Sequence, residues 1–213
     1  MNIEFSPKRI LVLAPHPDDG EFGCGATLAR FIAAGAEVHY RAFSLCEASL
    51  PKGVSKKQLN GELEASMAVL GIPPDHVQVR DYPVRHFPAH RQEILEDLVK
   101  DRGDIKPDLV FLPASTDIHQ DHAAVSAEGL RAFKHASVLG YELPWNNVAF
   151  QSQALSQVES AHVEVKERAI ACYASQSFRP YFQPSFIHSL ARTRGTQLAV
   201  EYAEAFEVLR LAF

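Results

Sequence analysis

The chain has 213 residues, of which 46% are hydrophobic and 22% are charged, and its formal net charge is -5. A chain of this length can bury one substantial core, and its ordinary apolar content excludes a mainly disordered state. The acidic balance disfavours a nucleic-acid-binding surface, so no nucleic-acid partner is expected.

Two further features bear on the compartment of the protein. The three cysteines lie far apart and form no CxxC pair, which fits reduced thiols in a cytoplasmic protein better than a disulfide framework. The apolar run before Pro15 is only five residues long, too short for a signal-peptide core or a membrane span. We therefore expect a cytoplasmic protein without a membrane anchor.

The first forty residues predict a strand, a helix and a second strand. Residues 10–14 form a continuous apolar run that is typical of a strand buried on both faces. Residues 22–34 have helical spacing and end at Gly35, where a helix often ends in a glycine. Residues 36–43 predict the next strand. Because βαβ units build parallel sheets, this order predicts an α/β protein.

The same alternation continues along the rest of the chain. Further helices are predicted over residues 58–70, 91–102, 121–135 and 163–175, and further strands over residues 77–81, 107–112 and 138–143. The polar loop 44–57 is long enough to border a site and could act as a lid. Residues 206–211 fit either a closing strand or a helix end. Since no linker or repeat interrupts this order, we expect one α/β domain over residues 1–213.

Two polar clusters follow predicted strands. Residues 16–19 (HPDD) follow the first strand, and residues 117–122 (DIHQDH) follow the strand at 107–112. In an open parallel sheet, functional groups gather beyond the carboxyl ends of the strands. The clusters together offer three histidines and four aspartates. Imidazole and carboxylate groups suit Zn²⁺ and similar divalent ions, and a catalytic zinc usually takes three protein ligands.

The spacing within each cluster is compatible with such a site. Side chains of adjacent residues in an extended backbone diverge, so one of Asp18 and Asp19 can bind a metal while the other serves in proton transfer. His119 and His122 can face one cavity if a helix begins there. Each cluster alone has a simpler explanation. It could form a turn or cap a helix, as Asp121 could cap the helix that follows it. Their joint occurrence at two strand ends favours the metal site.

The segment LAPHPDDGEFGCGAT, followed about a hundred residues later by DIHQDH, resembles the PIG-L/LmbE family of metal-dependent de-N-acetylases. The resemblance extends through Ser175-Gln176 and residues 194–206, and so covers nearly the whole chain. It implies a single deacetylase domain with a Rossmann-like three-layer fold and a mostly parallel sheet. It also implies removal of an N-acetyl group from an N-acetylglucosamine-type sugar. One departure is Ala26, where a second glycine is common in the family.

The resemblance also implies roles for individual residues. The metal, Zn²⁺ with Fe²⁺ or Co²⁺ as alternatives, would be held by His16, Asp19 and His122. Glu21 is expected to be a residue of the first helical turn and not a ligand.

Proton transfer would fall to the remaining members of the two clusters. The resemblance implies that Asp18 is the general base toward the attacking water. His119 would be the acid or would stabilise the oxyanion, and Asp121 would orient a histidine ligand.

The sequence signal for substrate-binding residues is less specific than the signal for the metal site. Arg85 lies in a proline-bounded loop and could hold a phosphate or carboxylate, although a surface arginine explains it equally well. The Trp145 ring could stack on the face of a sugar, and packing in the hydrophobic core explains it equally well. Glu142 and Asn146 are its polar neighbours and further candidates. The roles of Arg192 and Arg194 stay open.

The polar loops favour a small polar N-acetylated substrate, a sugar, over a membrane glycolipid. Relatives suggest a homo-oligomer, a trimer or a hexamer. Alternatives are the hydrolysis of a non-sugar amide and an inactive metal-binding or sugar-binding protein of the same fold. A phosphoacceptor receiver domain also has an acidic pair after its first strand, but it would leave His16 and the second cluster without a use, since Mg²⁺ prefers oxygen ligands.

Overall fold

The central strand β1 (Arg9–Ala14) shows why helices cover both faces of the sheet. Its side chains alternate, so that Ile10 and Val12 pack into one apolar cluster while Leu11 and Leu13 pack into another. All four are fully buried. The first cluster lies under four helices on one face of the sheet, and the second lies under two helices on the other face.

The computed structural model describes residues 5–212. Within them the helices are α1 (Asp19–Ala33), α2 (Lys56–Leu70), α3 (Arg91–Ile105), α4 (Gln120–Ala132), α5 (Ser160–Ala171) and α6 (Pro184–Gly195). The strands after β1 are β2 (Glu37–Ala42), β3 (Val77–Val79), β4 (Leu109–Pro113), β5 (Ser137–Tyr141), β6 (Ala154–Val158) and β7 (Tyr202–Arg210). None of these helices has the length and apolar composition of a membrane-spanning segment.

The strand order creates a crevice between β1 and β4. The seven strands lie in the order β3-β2-β1-β4-β5-β7-β6. Strands β1 to β5 are parallel, and β7 pairs antiparallel with both β5 and β6. From β1 the chain proceeds outward to β2 and β3, then returns to place β4 on the other side of β1. Ligand sites of open α/β sheets lie at such a switch point, beyond the carboxyl ends of the two strands.

The predicted α/β fold with a mostly parallel sheet is confirmed, with corrections to some elements. The helix predicted from residue 22 already begins at Asp19, and the helix predicted over 163–175 is Ser160–Ala171. The undecided segment 206–211 lies largely in strand β7. The other predicted elements agree with the structure to within three residues at each end.

Strand β6 and helix α6 were not predicted. Strand β6 is an edge strand that is mostly half-buried, so its side chains lack the strong alternation that marks a strand with one buried face. Helix α6 begins at a proline and buries only Ile187, Ala191 and Gly195 fully, which leaves a short apolar stripe.

A buried ion pair joins α1, α5 and β7. Lys166 Nζ lies 2.7 Å from Glu204 Oε1 and also donates a hydrogen bond to the carbonyl oxygen of Phe22. The Glu204 carboxylate in turn accepts hydrogen bonds from the backbone N–H groups of Ala26 and Thr27. The helix that follows the first polar cluster is therefore fixed by charge as well as by apolar packing.

Replacing Lys166 with methionine should destabilise the protein by about 3 kcal/mol, because it leaves the buried Glu204 carboxylate without its cation. The melting temperature should fall by about 8 °C. The matched control is Lys100→Met on the exposed side of α3, which should change Tm by no more than about 1 °C. Thermal unfolding followed by circular dichroism measures both, and an unchanged Tm for Lys166→Met would contradict the assigned role.

Candidate active site

The two polar clusters meet at the carboxyl ends of β1 and β4. A cavity of about 280 Å³ opens at this edge of the sheet. Its wall includes residues of both clusters, namely His16, Asp18, Asp19, His119 and His122. The neighbouring pairing of β1 and β4 brings the clusters together, although more than a hundred residues separate them along the chain.

Three of these side chains point ligand atoms at one another. His16 Nδ1 lies 3.1 Å from His122 Nε2. Asp19 Oδ2 lies 3.3 Å from each of these two nitrogens. A tetrahedral zinc with bonds of about 2.0–2.1 Å has ligand atoms about 3.3 Å apart. The donor set and its spacing therefore fit a divalent metal ion, with room for a fourth ligand from the cavity.

The second nitrogen of each imidazole is held by a buried carboxylate. His16 Nε2 donates a hydrogen bond to Asp121 Oδ2 at 3.1 Å, and His122 Nδ1 donates one to Asp117 Oδ2 at 2.7 Å. In the neutral ring, each hydrogen bond fixes the tautomer that leaves the other nitrogen with a lone pair facing Asp19. Carboxylate–histidine pairs of this kind orient metal ligands in proteins and increase their basicity.

The His119 imidazole also lies near the other two rings, with ligand atoms of all three histidines within 4.8 Å of one another. Its tautomer differs, however. His119 is the N-cap of α4, and its Nδ1 accepts a hydrogen bond from the backbone N–H of Asp121 at 3.2 Å. In the neutral ring the proton is therefore on Nε2. Burial and the neighbouring His122 and His16 lower the pKa of His119, which favours this neutral form, a hydrogen-bond donor and not a ligand.

Asp18 has a strained backbone and a carboxylate that makes no side-chain hydrogen bond to the other residues between 5 and 212. Its φ of 86° is in the left-handed region that residues other than glycine rarely adopt. Although Asp18 stands at the N-cap of α1, its side chain makes no capping hydrogen bond and faces the cavity. Burial and the adjacent Asp19 raise the pKa of Asp18, and the positive charge of Arg179 offsets part of this effect. The carboxylate is thus available to exchange a proton within the cavity.

The other charges of the cluster follow from the same contacts. Burial alone would raise the pKa of Asp19, but His122 and His16 lower it well below its usual range. Burial would lower the pKa of His122, but Asp19 and Asp117 raise it to about 10. Without a metal, the ionised Asp19 carboxylate therefore pairs with the protonated His122 ring, and a divalent cation would bind there by displacing the imidazole proton.

Asp121 connects the histidine cluster with the loop that contains Arg85. Besides His16, its carboxylate accepts hydrogen bonds from the backbone N–H groups of Arg85, at 2.6 Å, and Phe87, at 3.2 Å. Arg85 has a φ of 71°, and its carbonyl oxygen accepts a hydrogen bond from the Gln120 side chain. These bonds fix the loop so that Arg85 borders the cavity.

The four candidate substrate contacts do not all reach the cavity. Arg85, Trp145 and Asn146 are part of its wall, whereas Glu142 is not. The Glu142 carboxylate instead pairs with Arg194, with Nε at 2.9 Å from Oε2. The structure therefore gives Glu142 and Arg194 a shared structural contact outside the lining of the cavity.

Several cavity residues were missed by the sequence reasoning. Arg179 and Tyr181 line the wall, where the guanidinium donates a hydrogen bond to the Tyr181 hydroxyl. The Tyr181 ring stacks on Trp145 with centroids 3.8 Å apart and 9° between the planes. Gln176 and Cys46 also border the cavity. Gln176 carried a signal through the Ser-Gln pair of the resemblance, and Cys46 belongs to the loop 44–57 that was predicted to border a site.

Asp117 is a further residue without an assigned role in the sequence reasoning. Because it orients His122, Asp117→Asn should weaken metal affinity about 10-fold to 100-fold while leaving all three ligand side chains in place. Competition with a chromogenic chelator measures the affinity. The exposed Asp104 supplies the control Asp104→Asn, and equal affinities for the two variants would contradict the role of Asp117.

Comparison with known proteins decides the family. A sequence model of the family described as PIG-L, GlcNAc-PI de-N-acetylase, matches residues 11–133, which is more than half of the chain. The chain belongs to the PIG-L family. The matched segment contains both polar clusters and every residue that the resemblance assigns to metal binding and proton transfer.

Two curated relatives match with moderate identity. The uncharacterized deacetylase YaiS of Escherichia coli K12 is 27% identical over 172 residues, which cover 79% of this chain and 91% of that protein. The 1D-myo-inositol 2-acetamido-2-deoxy-alpha-D-glucopyranoside deacetylase of Mycolicibacterium gilvum is 30% identical over 144 residues, 60% of this chain. The match spans about half of that relative, 49% of its length.

Solved structures confirm the fold. The N,N'-diacetylchitobiose deacetylase of Pyrococcus horikoshii has a TM-score of 0.80 at 22% identity, over 95% of this chain and 84% of that one. GalB, the 4-carboxy-2-hydroxymuconate hydratase of Pseudomonas putida KT2440, has a TM-score of 0.79 at 19% identity, over 97% and 98%. Since a deacetylase and a hydratase share this architecture, the fold alone does not determine the reaction.

Proposed function

We propose that the protein is a metal-dependent hydrolase that removes the N-acetyl group from an N-acetylglucosamine-type sugar or small glycoconjugate. The observation that carries this proposal is the arrangement of His16, Asp19 and His122, whose ligand atoms lie 3.1–3.3 Å apart. The free Asp18 carboxylate faces the same cavity. Membership of a de-N-acetylase family supports amide hydrolysis as the reaction.

His16 Nδ1, His122 Nε2 and Asp19 Oδ2 would hold the metal. Bound there, a divalent cation would act as a Lewis acid and make water a better nucleophile near neutral pH. We assign Zn²⁺ to the site, since imidazole and carboxylate donors in this number suit it, with Fe²⁺ and Co²⁺ as alternatives.

The chain's own groups account for the proton transfers. Asp18 would accept a proton from the water that attacks the acetamide carbonyl, and the same proton would then pass to the departing amine nitrogen. His119, with its proton on Nε2, would donate a hydrogen bond to the oxygen that becomes negative during attack. The products would be acetate and the free amino sugar.

Aromatic and polar residues in the cavity lining suit a sugar. The stacked Trp145 and Tyr181 rings offer an apolar surface with edges that can contact a pyranose. Asn146, Arg85 and Arg179 also line the cavity, and their side chains offer polar groups to a substrate. A cavity of about 280 Å³ is at the lower end of ligand sites, about 300–1,000 Å³, which favours a small polar substrate.

The domain extent, the location and the oligomeric state complete the proposal. The whole chain, residues 1–213, is proposed to be one deacetylase domain, since strands β6 and β7 outside the matched segment belong to the same sheet. The three unpaired cysteines support the proposed cytoplasmic location. A trimer or a hexamer stays a prediction from the resemblance, which light scattering in solution would test.

Acetate release from a panel of N-acetylated sugars, nucleotide sugars and non-sugar acetamides tests the function. We expect release from at least one N-acetylglucosamine derivative, its loss after treatment with a chelator, and its return on adding Zn²⁺. Release from non-sugar acetamides alone would replace the sugar with another amide substrate. Bound metal without release from any compound would overturn the hydrolase and leave a binding protein.

A further inference from the structure

A second group of ligating side chains lies at the opposite edge of the sheet from the cavity. Glu37 is the first residue of β2, His39 follows two residues later, and His76 precedes the first residue of β3. Strand β2 extends for about 17 Å from Glu37 to the cavity edge, so this group shares no residue with the candidate active site. We refer to Glu37, His39 and His76 as the outer cluster.

The fold explains why these three residues meet. Glu37 and His39 are two residues apart on a strand and therefore lie on the same face. Strands β2 and β3 are parallel with Tyr40 opposite Val77, and this register continued by one residue places His76 beside His39. The imidazole rings stack, with centroids 4.2 Å apart and 18° between the planes.

Ligand atoms of the outer cluster face one another. Glu37 Oε1 lies 2.6 Å from His39 Nε2 and 4.0 Å from His76 Nε2, and the three ligand atoms lie within 4.8 Å of one another. Atoms that bind one ion through bonds of about 2.0–2.2 Å lie no more than about 4.4 Å apart, so small movements of these side chains admit a cation.

A backbone contact selects the tautomer that a metal ligand requires. His76 Nδ1 donates a hydrogen bond to the carbonyl oxygen of Val38 at 3.2 Å. The neutral ring then carries its lone pair on Nε2, the atom that faces Glu37. The same device, an imidazole N–H held by a carbonyl oxygen, fixes histidine ligands in known metal sites.

We propose that the outer cluster is a second divalent-cation site, separate from the candidate active site. Two imidazoles and one carboxylate are the donors that Zn²⁺, Co²⁺, Ni²⁺ and Cu²⁺ bind well, whereas Mg²⁺ and Ca²⁺ prefer oxygen ligands. Glu37 is 46% exposed at its side chain, so water completes the coordination. Binding there joins the start of β2 to the turn before β3, a strand of only three residues at the edge of the sheet.

Metal titration of the full chain, stripped with a chelator, tests the proposal. We expect calorimetry with Co²⁺ to count two sites in the wild type and one fewer in His39→Ala. The matched control is His188→Ala, because His188 also pairs with a surface glutamate, Glu167, at 2.8 Å, but is not part of a three-residue cluster among the described residues. This control should retain both sites.

The experiment tests the outer cluster and the metal site of the cavity separately. His122→Ala should retain the outer site, and saturating metal should still raise its Tm by about 5 °C. Adding His39→Ala to that variant should remove the rise. If His39→Ala binds as many ions as the wild type, the outer site is overturned, whatever the titration shows for the active site. If the wild type binds one ion and His39→Ala none, the outer site stands and the metal at the active site is overturned.

Discussion

Replacing Asp18 with asparagine should lower kcat for acetate release by about 10³-fold while the protein keeps its metal. General acid–base groups contribute about 10²-fold to 10⁴-fold to a rate, and the amide of asparagine has the size of the carboxylate but cannot take up a proton. Asp18 makes no capping hydrogen bond in α1, so the change should leave the fold and the substrate KM nearly unaltered. Steady-state kinetics and elemental analysis of the same preparation measure the two effects.

The adjacent carboxylate provides the contrast that makes this experiment specific. Asp19 Oδ2 lies 3.3 Å from both ligand nitrogens, so Asp19→Asn should lose metal together with turnover. Asp104→Asn, on the exposed side of α3, should change neither. Full activity in metal-loaded Asp18→Asn would remove Asp18 as the proton acceptor and leave the metal site untouched.

The sequence predicts those site residues whose positions are determined by the ends of two strands. A run of buried apolar residues followed by HPDD, and a second followed by DIHQDH, place polar groups at one edge whenever the two strands are neighbours. The structure confirms that neighbourhood, since β1 pairs with β4. Local spacing also suffices for His119 and His122, because the start of α4 turns both residues toward one cavity.

The part that the sequence does not predict depends on contacts between distant segments. The resemblance implies that Asp121 orients a histidine, but only the packing of β1 against β4 decides that this histidine is His16, and the role of Asp117 beside His122 was not predicted. Arg179 and Tyr181 come from an irregular segment between α5 and α6 whose residues have no periodic pattern. Their place in the cavity follows from aromatic stacking on Trp145, an interaction across the fold.

Replacing His122 with alanine should abolish both metal binding and acetate release, the largest effect expected in this protein. The variant removes one of the three proposed ligand atoms, leaves the buried Asp117 carboxylate without its imidazole, and leaves Asp19 with His16 alone. Unpaired buried charge destabilises proteins, so loss of metal has to be separated from loss of the folded state. Elemental analysis and circular dichroism of the same sample make this separation.

His122→Gln resolves the ambiguity, because the glutamine amide can still donate a hydrogen bond to Asp117 but lacks the ligand nitrogen. We expect this variant to unfold near the wild-type temperature, to carry no metal at the active site and to release no acetate, while His135→Ala, an exposed histidine, behaves as the wild type. Metal retained at the active site in His122→Gln would mean that His119 takes the vacant ligand position. That result would overturn the tautomer of His119 that the backbone N–H of Asp121 selects. The proposed chemistry depends on this tautomer, because it makes His119 a hydrogen-bond donor while His16 and His122 bind the metal.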